Sequence, residues 1–135
     1  MVVDTSAVIA ILFGEPETAS FVRALADDPK KMISAFNALE SAIVIEARKG
    51  EAGGRELDLF LHRARIEIIA LNGDQVELAL TAWRKYGKGN HPAGLNIGDC
   101  CAYALAKYSG APLLFKGNDF SQTDIRPVLA PNLFM

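Results

Sequence analysis

Short apolar runs recur along this chain at Val2-Val3, Met32 to Ser34, Ile66 to Leu71, Leu113 to Phe115 and Pro127 to Ala130, and most are separated by stretches of helical periodicity. Strands joined by helix-length connections cannot pair as hairpins. Each return has to cross the sheet, so neighbouring strands run parallel and helices cover both faces. The expected fold is therefore α/β with a central parallel sheet. A chain of 135 residues is long enough for one substantial core and too short for two, so residues 1–135 are expected to form a single domain.

The helical stretches have recognisable ends. Ala7 to Phe13 is apolar on every side and closes at Gly14, after which Glu15-Pro16-Glu17 opens a second helix that Asp27-Asp28-Pro29 ends. Phe36 to Lys49 stops at Gly50, Gly53 to Arg65 carries the stripe Leu57, Phe60, Leu61 and Ala64, and Asp74 to Tyr86 puts Val76, Ala79, Leu80 and Trp83 on one face. A loop, GKGNHPAGLN, precedes a last helix from Gly98 to Ser109.

Composition narrows the function classes. Half of the residues are hydrophobic and 22% are charged, which argues against disorder, and no apolar run is long enough to cross a bilayer. The N-terminus has no basic segment before its apolar stretch and Asp4 interrupts that stretch, so a cytoplasmic protein is expected. Cys100 and Cys101 lack a second CxxC pair or a nearby His at zinc-finger spacing and read as small buried helix residues. A net charge of −2 advertises no nucleic-acid partner, although Arg84, Lys85, Lys88 and His91 cluster locally, as do His62, Arg63 and Arg65. Such runs are usually solvated helix faces.

Four acids fit this pattern less comfortably. Asp4 stands between a buried strand and an apolar helix, at the strand's carboxyl end, where open α/β sheets bind ligands; an N-cap is its bland role. Glu40 interrupts the apolar stripe Phe36, Leu39, Ile43, Val44 and Ala47, although Asn37, Ser41 and Glu46 show that the helix has polar positions elsewhere. Asp99 lies in the first turn of the last helix, where negative charge is favoured, and also above Ala102, Tyr103 and Ala106. Asp119 follows the strand ending near Phe115 and reads alternatively as a turn residue.

If these acids converge, each ionised pair about 4 Å apart repels by roughly 4 kcal/mol at an effective dielectric near 20. Several such pairs rival the whole stability of a small domain, about 5–15 kcal/mol. Either protons are bound through raised pKa values or divalent cations neutralise the cluster. A set of oxygen donors without His or Cys points to Mg²⁺ or Mn²⁺ rather than zinc.

The segments MVVDTSAVIAIL, ISAFNALESAIVIEAR, GLNIGDCCAYALAKYSGAPLLFKGNDF and the closing TDI at Thr123 to Ile125, in this order and spacing, resemble a PIN-domain ribonuclease, more narrowly a VapC-type toxin of a toxin–antitoxin pair. The resemblance covers nearly the whole chain. It implies a three-layer α/β/α sandwich around a parallel sheet, with Asp4, Glu40, Asp99 and Asp119 as the metal-binding and catalytic acids and Ser6 as the supporting hydroxyl. Asn118 stands where related chains often carry a further acid, and the fourth position is assigned to Asp119.

The implied chemistry is Mg²⁺- or Mn²⁺-dependent hydrolysis of RNA phosphodiester bonds. Because both site and substrate are negative, basic residues have to guide the RNA backbone, and Arg84, Lys85, Lys88, His91 and Lys116 are the candidates. The resemblance also implies a cognate VapB-type antitoxin and a homodimer. Phe13, Phe21 and the Leu57/Phe60 stripe are available either to an interface or, more simply, to the core.

Two rivals make different predictions. A phosphotransferase using Asp4 as nucleophile usually carries a second acid two residues on, where this chain has Ser6, and it would form a trapped aspartyl-phosphate. A non-catalytic PIN-like RNA- or partner-binding domain would bind RNA without cutting it.

Overall fold

The computed structural model describes residues 1–130. Its centre is a four-stranded, wholly parallel sheet of β1 (Val2–Val3), β2 (Lys31–Ser34), β3 (Ile66–Ile69) and β4 (Leu113–Leu114), in the order β3-β2-β1-β4. Six helices connect the strands: α1 (Thr5–Leu12) and α2 (Thr18–Asp27), α3 (Ala35–Lys49) and α4 (Glu51–Arg63), then α5 (Gly73–Tyr86) and α6 (Ile97–Ser109). Their ends follow local chemistry. Gly14 and Gly110 take positive φ values of 64°, a backbone state in which a side chain is strained, and each turns the chain out of its helix.

Two residues of β1 suffice because alternation sends them to opposite layers. Val2, Met32 and Leu113 sit side by side in register and join the core under α5 and α6, with Ala102, Leu105 and Phe120. Val3, Ile33 and Leu114 join the other core, with Val8, Phe21, Ile45 and Leu57 from α1 to α4. Phe21 and Leu57 are thus core residues, with Phe13 and Phe60 packed partly buried against them. Cys100 and Cys101 are buried free thiols. Among the described residues no helix is long and apolar enough to cross a membrane.

The chain proceeds from β1 outward to β3, then returns to place β4 on the other side of β1. The order therefore reverses beside β1, and Asp4 leaves the sheet at that switch point.

Three expectations need correction. Pro127 to Ala130 forms no strand; Pro127 makes one isolated bridge to Leu113, through Leu113 N–H to Arg126 O and Val128 N–H to Leu113 O. Proline has no N–H with which to extend such a ladder. The second helix begins at Thr18, with Pro16 in the preceding turn. Finally, the apolar stripes of α3 and α5 face outward: Leu39, Ile43, Val76, Leu80 and Trp83 are exposed, whereas Asn37, Ser41, Gln75 and Ala82 are buried.

Candidate active site

Asp4 is 3% exposed and caps α1. Its Oδ2 accepts the Ser6 backbone N–H at 3.0 Å and the Ser6 hydroxyl at 2.6 Å, while its Oδ1 is buried without a partner among the described residues. Ser6 Oγ in turn accepts the Lys116 backbone N–H at 2.9 Å, so the first acid is braced by the segment leaving β4.

Asp99 closes a capping box at the start of α6: Asn96 Oδ1 accepts the Asp99 N–H at 2.9 Å and Asp99 Oδ2 accepts the Asn96 N–H at 3.0 Å. Glu40 extends from α3, and its Oε1 accepts the Thr5 hydroxyl at 2.6 Å. Gly98 leaves room for that carboxylate, since a Cβ there would lie 2.5 Å from Glu40 Oε1 and 2.7 Å from Oε2. The capping roles and a ligand role are compatible. Each of the three acids commits one oxygen to the scaffold and keeps the other free of protein donors among the described residues.

Electrostatics register their convergence. Burial pushes the Asp4 carboxyl from an ordinary 3.8 up to about 7; the charges of Asp99 and Glu40 add to the rise and the Ser6 hydrogen bonds oppose it. Burial likewise raises Asp99 to about 6, with Asp119 and Glu40 contributing and the Asn96 backbone bond opposing. Asp119 is exposed, just before the 3-10 turn Phe120–Gln122, without a side-chain cap bond. The site is thus three acids at the switch point and a fourth near enough to act on Asp99.

These residues suit a hard divalent cation. The donors are all carboxylate oxygens, and the buried, unpartnered Asp4 Oδ1 is the kind of atom an ion satisfies. Among the described residues no three of His, Cys, Asp and Glu are drawn tightly enough to enclose an ion by themselves. Mg²⁺ commonly takes only one or two carboxylates, with water and phosphate completing its shell.

The PIN domain family model matches residues 1–126. This chain belongs to the PIN-domain family. It is 57% identical over 128 residues to a "Ribonuclease VapC" of Mycolicibacterium smegmatis, covering 95% of this chain and 99% of that one. It is 55% identical over 131 residues to "Ribonuclease VapC30" of Mycobacterium tuberculosis, covering 97% and 100%. In structure it is similar to Mycobacterium tuberculosis VapC20, described as a sarcin-ricin loop cleaving toxin, with a TM-score of 0.75, 17% identity and coverage of 92% and 95%. The three-layer α/β/α arrangement expected from the sequence is that of this PIN fold.

Around this PIN-domain site the basic candidates separate. Arg84, Lys85 and Lys88 are exposed, and Lys88 lines a groove of about 460 Å³ with Trp83, Asn96 and Ile97, beside the first turn that carries Asp99. The Lys116 ammonium is turned toward Glu15 at 2.7 Å and Glu17 at 3.5 Å. His91 Nδ1 accepts the Ala93 N–H at 3.0 Å, and its ring stands edge-on to Tyr86 at 5.2 Å. Asp124 of the TDI motif fastens the C-terminal segment to α6 through Tyr103 at 2.6 Å and Lys107 at 2.7 Å. Thr5, Asn37 and Gly98 were not singled out from sequence; the available signals were Thr5 beside Asp4, and a polar Asn one helical turn before Glu40.

Proposed function

We propose that this chain is a Mg²⁺- or Mn²⁺-dependent endoribonuclease of the VapC kind, a toxin held in check by a VapB-type antitoxin in the cytoplasm. The observation that carries the reading is the half-committed state of Asp4, Glu40 and Asp99, three carboxylates fixed by one oxygen and free at the other. The names of relatives at 55–57% identity support ribonuclease activity of the VapC kind, for which a VapB-type antitoxin would be the partner. The proposed unit is residues 1–135 as one domain.

Asp4, Glu40 and Asp99 would hold the ion, with Asp119 at the rim. When bound, the ion supplies charge stabilisation on the phosphate oxygens and acidifies a water for attack. The chain's own residues supply orientation and proton management. Ser6, Thr5 and Asn96 keep each carboxylate from rotating, which holds the free oxygens in one array. Burial holds the Asp4 carboxyl up at about 7, so near neutral pH a bound cation would compete with a proton for it. Exposed Asp119 is the carboxylate left to take a proton from attacking water.

Arg84, Lys85 and Lys88 draw the RNA backbone toward this acidic end, where their charge offsets the repulsion between site and substrate. Lys116 and His91 contribute less directly, the Lys116 ammonium and His91 Nδ1 being engaged within the protein. A homodimer has an apolar surface to use in Leu39 and Ile43 of α3 and Val76, Leu80 and Trp83 of α5.

The test is incubation of purified, antitoxin-free protein with total cellular RNA and Mg²⁺ or Mn²⁺, beside an EDTA control and Asp99→Asn. Discrete cleavage lost in both controls is expected. Cleavage surviving both would refute the metal nuclease, and RNA bound but never cut would favour the binding-only domain.

A further inference from the structure

Asn37 is fully buried in α3, on the side facing α1 and α6, one helical turn before Glu40. Its Nδ2 donates to Gly98 O at 3.0 Å and to Thr5 Oγ1 at 3.1 Å. A backbone carbonyl only accepts, so the bond to Gly98 fixes which end of the amide carries the protons. The second amide proton then occupies a lone pair of the Thr5 hydroxyl, which has one proton of its own to place. Within reach are Glu40 Oε1 at 2.6 Å and Asn37 O at 3.4 Å, and the shorter, charge-assisted bond to the carboxylate prevails.

We propose that Asn37 is a positioning residue that orients the Thr5 hydroxyl as a donor to Glu40 and ties the three acid-bearing elements into one rigid frame. Thr5 adjoins Asp4, Gly98 adjoins Asp99, and Asn37 shares a helix face with Glu40, so one amide links the backbone neighbours or the helix of all three acids. The ligand array is thereby set by a side chain that touches neither ion nor RNA. A purely structural role does not account for the arrangement well, because Asn37 Oδ1 is buried with no partner among the described residues. An apolar side chain of similar volume would fill the space without that unpaired acceptor.

This inference rests on the metal-dependent reading of the site, and the experiment separates the two. Mn²⁺ binding to the ion-free protein is measured by calorimetry for the wild type, Asp99→Asn, Asn37→Ala, Thr5→Val, Thr5→Ser and the Asn37→Ala/Thr5→Val pair, with melting temperature recorded in EDTA. Loss of a partner that orients a metal ligand typically weakens binding by about 10- to 100-fold. Asn37→Ala and Thr5→Val should each weaken Mn²⁺ binding by at least about tenfold, Thr5→Ser should restore it, and the pair should be no weaker than the worse single variant.

Unchanged Mn²⁺ affinity in Asn37→Ala, with only the melting temperature lowered, would overturn the proposal. So would single effects that multiply in the pair. If Asn37→Ala fails to fold, Thr5→Val against Thr5→Ser decides, since a relay through the hydroxyl requires that Ser rescue what Val loses. A wild type that binds no Mn²⁺, or binds it as well as Asp99→Asn does, overturns the metal reading itself and this inference with it.

Discussion

The two sides of α3 invert ordinary helix chemistry. Inward lie Asn37 and Ser41, both fully buried, beside Ala38 and Ile45; outward lie Leu39 at 59% and Ile43 at 61% exposure, with half-buried Glu40 between them. Most of the inward polar groups have partners: Ser41 Oγ donates to Asn37 O at 2.7 Å, and the Asn37 amide donates to α1 and to the start of α6. Burial of polar atoms is tolerable on those terms, and it fixes where the acids stand. The outer side has the opposite character. Among the described residues its apolar groups are more exposed than covered, so their chemistry is available to another molecule. One helix thus divides its work between building the site and presenting a surface.

The largest effect that sharpens this contrast is on catalysis. Asp99→Asn retains an oxygen to accept the Asn96 N–H, so α6 keeps its cap while the free carboxylate oxygen loses its charge. RNA cleavage should fall at least about a hundredfold with little change in melting temperature, as read by fragment yield per unit enzyme. Activity near wild type would leave Asp99 with capping alone and dissolve the functional half of the comparison.

The next effect is on stability and has a definite sign. The Asp4 carboxyl is raised from 3.8 to about 7, so between those values the folded, ion-free protein binds more protons than the unfolded chain. Its contribution is therefore complete below about pH 4 and is lost as pH rises through 7, a difference on the order of 4 kcal/mol. Denaturant titrations in EDTA should show stability falling across that window. Asp4→Asn should flatten the profile above about pH 6, leaving the fall that Asp99 contributes below it, and leave the protein more stable than wild type at pH 8. A wild-type stability that climbs over the same range would show that Asp4 is not held in its protonated form.

Much of this architecture was legible in the chain because its signals are local. Gly14 and Gly50 end helices where expected, and the valines, isoleucines and leucines of the four strands announce a parallel sheet without knowledge of the partners. Asp4, Glu40 and Asp99 stood out because a carboxylate at a strand exit or within an apolar stripe calls for an explanation that local structure only half provides. The phase of the stripes was not legible. Periodicity groups Leu39 with Ile43, or Val76 with Leu80 and Trp83, but the same spacing describes a face turned to the core and one turned to a partner. Asn37 escaped for the same reason: as a polar position away from the apolar stripe, it carried no hint of its bonds to residues 32 and 61 positions away in the chain.

On the inner face, Ile45→Ala removes a side chain that is fully buried against the sheet core. Destabilisation of about 2–5 kcal/mol is expected, measured by urea denaturation in EDTA. A loss under about 1 kcal/mol would mean that the inner side of α3 is packed too loosely to fix the acids, and the division of labour between the faces would fail from that side.

The smallest expected change comes from the outer face, where a null result is informative. Ile43→Ser shortens a side chain that has little protein around it, so the isolated subunit should lose no more than about 0.5 kcal/mol. Because a homodimer would hide this surface, the variant should instead shift sedimentation toward the monomer at concentrations where the wild type is paired, with its acids and their bonds untouched. A loss comparable to that of Ile45→Ala, without any change in assembly, would place Ile43 in the subunit's own core and remove the contrast between the two sides. A monomeric wild type with an indifferent Ile43→Ser would assign the outer face to a different molecule. The antitoxin would then be tested next, by comparing its binding to the variant and to the wild type.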